Sequence, residues 1–199
     1  MIIKVLEEIS RRVGTAYSRL REKAVAGRVG KLGKGSRICY PFTISHEELI
    51  EIGDHTTILE NARMQVYPER TEEKGHIKIG SNCFMGYRLC ILAGADVTIG
   101  NDVTMASNVC IVSENHGIDP ESDICYGKQP LQTAPVKIGD GCWLGESVMI
   151  MPGVQVGEKS VIGGGAVVTK SIPAYSIAVG NPAKVIKKYD FECHKWIRA

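Results

Sequence analysis

Aliphatic side chains recur at every sixth position in the C-terminal part of the chain, and glycine directly follows four of them. A period of six fits neither an amphipathic helix nor a strand of alternating polarity. It is typical of a parallel β-helix, in which each hexad forms one face of a coil and the aliphatic position is buried between stacked coils. The repeating positions are Ile138, Leu144, Ile150, Val156, Ile162 and Val168, with the smaller Ala174 at the next step.

The first 26 residues show a helical period instead. Steps of three and four residues between apolar positions predict one amphipathic helix with charged side chains on its opposite face. We expect this helix to cap the open end of the β-helix, where a terminal coil exposes unpaired edges. Glycines at 27, 30, 33 and 35 then predict a flexible basic connector, so residues 1–37 form a first unit. The apolar positions are Ile2, Leu6, Ile9, Val13, Ala16 or Tyr17, Leu20 and Ala24.

The hexad pattern is interrupted upstream of Ile138. The charged segment 68–76 is predicted to form a loop or hairpin, and a slip of two residues precedes Ile99. The longer interruption, residues 113–135, is predicted to protrude as a loop, and a long insertion in a regular solenoid generally marks its functional face. The β-helix therefore spans residues 38–187, followed by a basic tail at 188–199 for which we expect a helix.

Charge is unevenly distributed along the chain. The formal net charge is +2, yet residues 11–37 carry nine basic residues and one acid, Glu22. Such a segment suits contact with an anionic phospholipid surface or an acidic glycan, and the alternative is a solvated helix face. Interleaved aromatic residues and a nucleic-acid motif are missing, so we expect no nucleic-acid partner.

The seven cysteines indicate neither a disulfide framework nor a zinc finger, because their number is odd and no Cys-x-x-Cys pair occurs. This usage suits a reducing cytoplasm. Cys110 and Cys142 fall within repeat hexads, and we expect both to pack as small apolar residues. No uncharged apolar stretch is long enough to span a bilayer, so we expect a soluble, cytoplasmic protein.

His116 is the strongest candidate for a catalytic residue. It stands where a predicted rung runs into the 113–135 loop, and an imidazole can accept a proton near neutral pH. At the rim of a groove it could deprotonate a hydroxyl or an amine. The alternative for a histidine at the start of a loop is a polar surface residue without a catalytic role.

Three stretches of the sequence resemble the hexapeptide-repeat O-acetyltransferases. They are the loop ENHGIDP, the run APVKIGDGCWLGESVMIMPGVQVG and the run VIGGGAVVTKSIPAYSIAVGNPAKVIKK. The chain is most similar to the galactoside, maltose and colanic-acid types of this family. The resemblance implies a left-handed parallel β-helix, acetyl-CoA as co-substrate, and a homotrimer with active sites between subunits. It also implies that His116 is the general base.

The resemblance implies a set of coenzyme A contacts as well. A backbone N–H of Gly145 or Glu146 would stabilise charge on the thioester carbonyl oxygen. Glu146 replaces the serine or alanine of many relatives, so only its backbone contact is expected to transfer. The basic residues at the C-terminal end would meet the phosphates of coenzyme A. The implied contacts are Trp143, Gly145, Glu146, Gly163, Gly164, Thr169, Lys170, Lys184 and Lys187.

Two residues of this sequence differ from those of the related enzymes at positions that concern the acceptor. Gly86 stands where the galactoside enzymes have an asparagine, and Cys125 stands where the maltose type has a glutamate, so neither simple sugar is expected. The remaining loop and coil residues favour a sugar hydroxyl on a glycan or glycan precursor. The candidate acceptor contacts are Gly86, Tyr87, Arg88, Asn108, Asn115 and Tyr126.

Other functions stay open on the sequence. A drug such as chloramphenicol or a streptogramin, or an amino sugar, could replace the glycan as acceptor. A non-catalytic structural solenoid would need neither His116 nor the basic C-terminal residues. The metal-dependent carbonic anhydrases share the solenoid but need two histidines five residues apart, and positions 111 and 121 hold Ile111 and Glu121. We therefore expect no metal site.

Overall fold

A computed structural model of the protein describes residues 2–71 and 74–199. A long helix, Ile2–Ala26, precedes a three-sided parallel β-helix that ends in antiparallel strands. Strands on each side stack on those of the neighbouring coils and form three sheets, which we call faces 1, 2 and 3. The helix is too polar to cross a bilayer, and the described residues contain no other helix of sufficient length.

Each complete coil contributes one strand to each face in turn. Face 1 contains Lys31–Leu32, Ile50–Ile52, Ile77–Ile79, Val97–Ile99, Val136–Ile138 and Gln155–Val156. Face 2 contains Arg37–Ile38, Thr57–Ile58, Phe84–Met85, Thr104–Met105, Trp143–Leu144, Val161–Ile162, Ser176–Val179, Lys184–Asp190 and Lys195–Arg198. Face 3 contains Phe42–Ser45, Ala62–Val66, Cys90–Ala93, Cys110–Val112, Met149–Ile150 and Val167–Val168. Outside the faces lie the ribbon strands Glu114–Asn115 and Gln132–Thr133 and the 3-10 turns Glu47–Leu49 and Tyr126–Lys128.

The chain turns from one face to the next at three edges of the prism, two of which concern the site. The 2–3 edge, where face 2 passes into face 3, contains residues 86–89, 106–109, 145–148 and 163–166. The 3–1 edge, where face 3 passes into the next coil's face 1, contains residues 46–49, 67–71, 74–76, 94–96, 113–135, 151–154 and 169–171. Within the described part of the chain, the long insertions all lie on the 3–1 edge.

The inward aliphatic ladder has the predicted six-residue period. Ile138 pairs with Val156, and Leu144 pairs with Ile162, so equivalent positions are 18 residues apart. All four side chains are at most 2% exposed. Burying each one contributes about 1.5–3 kcal/mol, and stacking makes the separate contributions one continuous core.

The repeat ends earlier than predicted. Ala174 is exposed, and the chain instead turns Ile172 and Ala178 inward. Ile172 bridges to Val156 and Ala178 pairs with Ile162, so this last partial coil is two residues shorter than the 18-residue coil before it. The prediction of an inward Ala174 is therefore wrong.

The glycine-rich segment 27–37 is not a flexible connector. Lys31–Leu32 pairs with Ile50–Ile52, and Arg37–Ile38 pairs in the same way with the next strand of face 2, so these residues form the first coil. Stacking explains the glycine at position 33, because a Cβ there would lie 2.3 Å from the backbone carbon of Gly53. The β-helix thus begins before residue 38.

The C-terminal half of the helix covers the first coil. Val25 joins the hydrophobic core, the backbone N–H of Tyr40 donates to Glu22 Oε1 at 3.1 Å, and the Tyr17 and Tyr40 rings meet edge to face at 5.5 Å. The apolar stripe itself faces solvent, with Leu20 65% exposed. The side chains of residues 1–6 and 9, three of which belong to the predicted stripe, lie outside the described part.

The two smaller interruptions lie on the 3–1 edge. The two-residue slip falls between Ala93 and Val97, so Ile79 and Ile99 still pair directly. The charged segment 68–76 leaves the coil at the same edge, and its residues 72 and 73 lie outside the described part. Insertions are tolerated there because they leave the ladders on the three faces intact.

The tail is not helical. Lys184–Asp190 pairs antiparallel with Ser176–Val179 and with Lys195–Arg198, which extends face 2 and covers its open strand edge. Phe191 meets Tyr175 of the last coil edge to face, with ring centroids 4.9 Å apart. The aromatic residues thus attach the tail to the β-helix.

Candidate active site

The 113–135 insertion is an ordered hairpin rather than an open loop. Glu114–Asn115 pairs antiparallel with Gln132–Thr133 to form its stem. At the base, the buried hydroxyl of Ser113 donates to Ala95 O at 2.6 Å and accepts from Ala95 N at 3.1 Å. Both backbone groups of the preceding coil are thereby satisfied, which fixes the point where the hairpin leaves face 3.

Gln129 holds the hairpin together. Its side chain is 4% exposed, and its amide nitrogen donates to the carbonyl oxygens of Asp119 and Ile124, each at 2.9 Å. Its amide oxygen accepts from the backbone N–H of Asp119 at 3.0 Å. Gly117 lies so close that an added Cβ would be 2.7 Å from the Gln129 Cβ. Sequence reasoning did not single out Gln129, although this contact fixes the residue next to His116.

His116 is exposed at the end of the hairpin stem, beside the exposed Asn115. Among the described residues, no group hydrogen-bonds to its ring. The far end of the hairpin is tied to the 68–76 insertion, where Arg70 Nη2 donates to Gly127 O at 3.0 Å, and Tyr126 there is 54% exposed. No three His, Cys, Asp or Glu side chains within residues 2–71 and 74–199 are placed to share a metal ion.

Three polar side chains form a hydrogen-bonded row along the 2–3 edge. Arg88 Nε donates to Asn108 Oδ1 at 2.6 Å, and Asn108 Nδ2 donates to Glu146 Oε1 at 2.7 Å. The other carboxylate oxygen of Glu146 accepts from the backbone N–H of Ser107 at 3.0 Å. Tyr87 stands beside this row, 46% exposed. Tyr87, Arg88 and Asn108 therefore lie together on the 2–3 edge, and their contact with an acceptor stays a prediction.

The close stacking of coils explains why two of the candidate positions, Gly86 and Gly145, hold glycine. A Cβ on Gly86 would lie 2.6 Å from the backbone carbon of Ala106, and a Cβ on Gly145 would lie 2.6 Å from Gly164 N. Coil stacking alone therefore excludes larger residues at both positions. The Gly145 N–H donates to Ile162 O at 2.8 Å, so it is not free to bind another group.

The remaining candidates lie on face 2 or next to it. Trp143 points outward from this face and is 55% exposed. Gly164 is exposed next to Glu146, while Gly163 lies against the next coil. Lys184 and Lys187 are exposed on the strand that extends the same face.

Thr169 and Lys170 belong to a different part of the prism. They follow Val167–Val168 and are exposed on the 3–1 edge, the edge from which the His116 hairpin also projects. The candidate residues thus divide into two groups on two edges separated by face 3. Within one protomer the histidine and the row at Glu146 are not brought together.

Two family models match the chain at its repeats. One, described as bacterial transferase hexapeptide (six repeats), covers residues 135–170, and the other, described as hexapeptide repeat of succinyl-transferase, covers residues 76–113. A putative lipopolysaccharide biosynthesis O-acetyl transferase of Escherichia coli, WbbJ, is 33% identical over 168 residues, which are 81% of this chain and 83% of that protein. The chain therefore belongs to the hexapeptide-repeat acetyltransferase family, and its fold is the left-handed parallel β-helix.

Two further relatives extend the comparison. A putative acetyltransferase of Saccharomyces cerevisiae is 46% identical over 114 residues, which are 57% of this chain and only 56% of the yeast protein. A hexapeptide-repeat-containing acetyltransferase of Vibrio cholerae, solved in complex with acetyl coenzyme A, superposes with a TM-score of 0.57 at 25% identity. That superposition covers 83% of this chain and 74% of the Vibrio chain.

The Gln129 contacts yield a prediction about the hairpin. Gln129→Ala removes the three hydrogen bonds of the buried Gln129 side chain, each of which contributes about 0.5–1.5 kcal/mol. We expect residues 113–135 to become the first site of cleavage in limited proteolysis and to lose amide-exchange protection. Gln132→Ala, which changes an exposed glutamine of the same hairpin, is the matched control. Equal cleavage of both variants would contradict the assigned role.

Proposed function

We propose that this protein is an acetyl-CoA-dependent O-acetyltransferase that acts on a sugar hydroxyl of a glycan or glycan precursor. One observation carries the proposal: in a chain of this family, an exposed imidazole without a hydrogen-bonding partner among the described residues stands at the rim of an ordered hairpin. A histidine used only for structure would be tied into the hairpin, as Gln129 is.

In this proposal His116 is the general base. Its imidazole accepts the proton of the acceptor hydroxyl while the hydroxyl oxygen bonds to the thioester carbonyl carbon. The carbon–sulfur bond then breaks, and the imidazolium returns the proton to the departing thiolate, so that the products are an acetyl ester and free coenzyme A. A positioned base contributes about 10²–10⁴-fold to such a step. Holding both reactants in one cleft contributes a further large factor.

The negative charge that develops on the carbonyl oxygen needs a fixed donor. Of the two backbone donors proposed from the sequence, the Gly145 N–H already donates to Ile162 O. The Glu146 N–H has no acceptor among the described residues, so we assign the donor role to it. The Glu146 side chain holds this turn in place through Ser107 and Asn108.

We further propose a homotrimer in which each active site lies between two subunits. The separation of the two residue groups supports it, because His116 with Thr169 and Lys170 occupies the 3–1 edge and the Glu146 row occupies the 2–3 edge, next to Trp143 on face 2. A second copy can bring the missing edge to each histidine. In a closed ring of three identical contacts, the 3–1 edge of each chain meets the 2–3 edge of a neighbouring chain, so both edges take part in a contact.

Coenzyme A would be held by residues of both edges. Lys184 and Lys187 are exposed cations on the extension of face 2, and Lys170 with Thr169 is exposed on the 3–1 edge. Phosphate groups are bound by such cations as point charges. The exposed faces of Trp143 and Gly164 would leave room for the pantetheine chain.

A glycan acceptor fits the polar residues near the site better than a drug does. The Arg88–Asn108 row and Tyr87 offer hydrogen-bond donors and acceptors and one exposed ring, and the related WbbJ carries the name of a lipopolysaccharide O-acetyl transferase. An amino sugar or a drug remains the alternative acceptor, and a structural solenoid the alternative without catalysis. Thiol release from acetyl-CoA with a panel of sugars, nucleotide sugars and drugs separates these outcomes.

We also propose that the N-terminal helix docks on an anionic membrane surface from the cytoplasmic side. Val13 and Leu20 are 63% and 65% exposed, and the exposed Arg19 and Lys23 flank this stripe on the helix. An apolar stripe bordered by cations is typical of helices that lie in the headgroup region. The free state of all seven thiols supports the cytoplasmic location.

His116→Ala tests the catalytic assignment. We expect turnover with acetyl-CoA to fall by about a hundredfold or more because proton transfer loses its base, while coenzyme A binding and thermal stability stay unchanged. His194→Ala changes an exposed histidine of the tail and is the matched control. Wild-type turnover in His116→Ala would eliminate His116 as the base.

Mixed oligomers test the shared site. Gly164→Leu places a bulky side chain at the exposed position beside Glu146, and we expect it to inactivate the protein, as we expect of His116→Ala. When the two variants are co-expressed in equal amounts, the Gly164→Leu chain supplies an intact histidine and the His116→Ala chain supplies an intact 2–3 edge. About a quarter of the sites between chains then combine both intact parts, so about a quarter of wild-type turnover should return. Mixtures that melt like the wild type but stay as inactive as either variant alone would show that each site lies within one chain.

Vesicle binding tests whether the N-terminal helix docks on an anionic membrane surface. Leu20→Asp places a charge in the apolar stripe and should abolish binding to vesicles that contain phosphatidylglycerol. Thr15→Asp introduces the same charge at an exposed position on the opposite side of the helix and should bind nearly as well as the wild type. Absence of binding by the wild type, or equal binding to neutral phosphatidylcholine vesicles, would refute the proposal.

A further inference from the structure

Two cysteines lie side by side on the outer surface of face 3. Cys90 pairs directly with Cys110 in the parallel ladder, and both are half-buried. The sequence predicts that Cys110 packs as a small apolar residue; in the structure Ile111 takes the buried position and Cys110 lies half-buried on the outer side. The expectation was right for Cys142, which is 1% exposed.

The two thiols occupy directly paired positions and influence each other's ionisation. The neighbouring Cys110 thiol lowers the pKa of Cys90 to about 7, and the same interaction raises the pKa of Cys110. Arg63, which pairs with Cys90 in the ladder, adds a positive charge that favours the thiolate. A thiolate of this kind at a partly exposed position is the usual setting of a reactive cysteine.

We propose that Cys90 and Cys110 form a redox-sensitive dithiol that a low-molecular-weight disulfide, such as glutathione disulfide, oxidises to a disulfide between adjacent coils. The Cys90 thiolate attacks one sulfur of glutathione disulfide and releases one glutathione thiolate. Cys110 then loses its proton, attacks the Cys90 sulfur of the mixed disulfide and releases the second glutathione. Two protein thiols are oxidised, and one glutathione disulfide is reduced to two glutathione molecules.

The ladder geometry makes this pair suitable. Adjacent strands of a sheet lie about 4.7–4.9 Å apart, which falls within the Cα separations of about 4.4–6.8 Å that disulfides span. No other two cysteines pair in the ladders of the described residues. Of the others, Cys125 and Cys193 are exposed in separate segments, so each offers a single thiol.

The pair is placed where oxidation would reach the candidate site. Cys90 and Cys110 follow Arg88 and Asn108 by two residues each, so the disulfide would form beside the Arg88–Asn108 hydrogen bond. Strand Cys110–Val112 also leads directly into the base of the His116 hairpin. We expect oxidation to lower acetyl transfer reversibly, and this consequence alone rests on the proposed function.

Mass spectrometry of the full-length protein tests the dithiol without an activity assay. The folded protein is treated with glutathione disulfide near neutral pH, remaining thiols are alkylated, and the chain is cut before aspartate, which separates the two cysteines at Asp96 and Asp102. We expect a Cys90–Cys110 cross-link that dithiothreitol reverses. In Cys110→Ser, Cys90 should instead retain glutathione. Cys125→Ser and Cys193→Ser should keep the cross-link.

A different pattern of cysteine modification would contradict the proposed dithiol. Alkylation of both Cys90 and Cys110 while Cys125 and Cys193 carry glutathione would overturn the proposal. Turnover is then measured on the oxidised wild type and on the Cys90→Ser/Cys110→Ser double variant. Loss of turnover in the former alone supports the regulatory consequence, and a cross-linked protein with unchanged turnover overturns that consequence but leaves the dithiol and the proposed function standing.

Discussion

The stacking of one coil on the next is the constraint on which the rest of the structure depends. Each inward aliphatic side chain rests on its equivalent in the next coil, and backbone N–H groups donate to the carbonyl groups of that coil. Side-chain stacking and backbone hydrogen bonding together fix the number of residues in each strand of a face, because an extra residue there would displace every later side chain from its partner in the next coil. Only the edges can accept insertions, and this chain places its long ones on a single edge.

The site follows from that arrangement. The hairpin that carries His116 can project only from an edge, and the flat ladder of face 3 then separates it from the Glu146 row. A rigid prism cannot fold these two edges together, so under the proposed mechanism one protomer would hold two incomplete halves of the site. In the proposed site, the rigidity that fixes the backbone N–H of Glu146 is also the reason that a second copy would be required.

Sequence periodicity predicted the core well and the segments around it poorly. Isoleucine or valine every sixth residue identifies the inward positions, whereas Ala174 was misassigned because the last coil is two residues shorter. The glycines before residue 38 resembled a linker, although close coil stacking requires Gly33. Gln129 left no signal because its partners are backbone groups, which no residue type marks. The chemistry proposed for His116 rests on family resemblance, and the separation of the two edges follows only from the three-dimensional fold.

Oligomeric state combined with activity tests the central claim, that the catalytic site is complete only between protomers. Native mass spectrometry of fractions separated by size should show a species of three chains, with acetyl transfer confined to that species and lost on dilution to single chains. A folded single chain that retains full turnover would contradict the account.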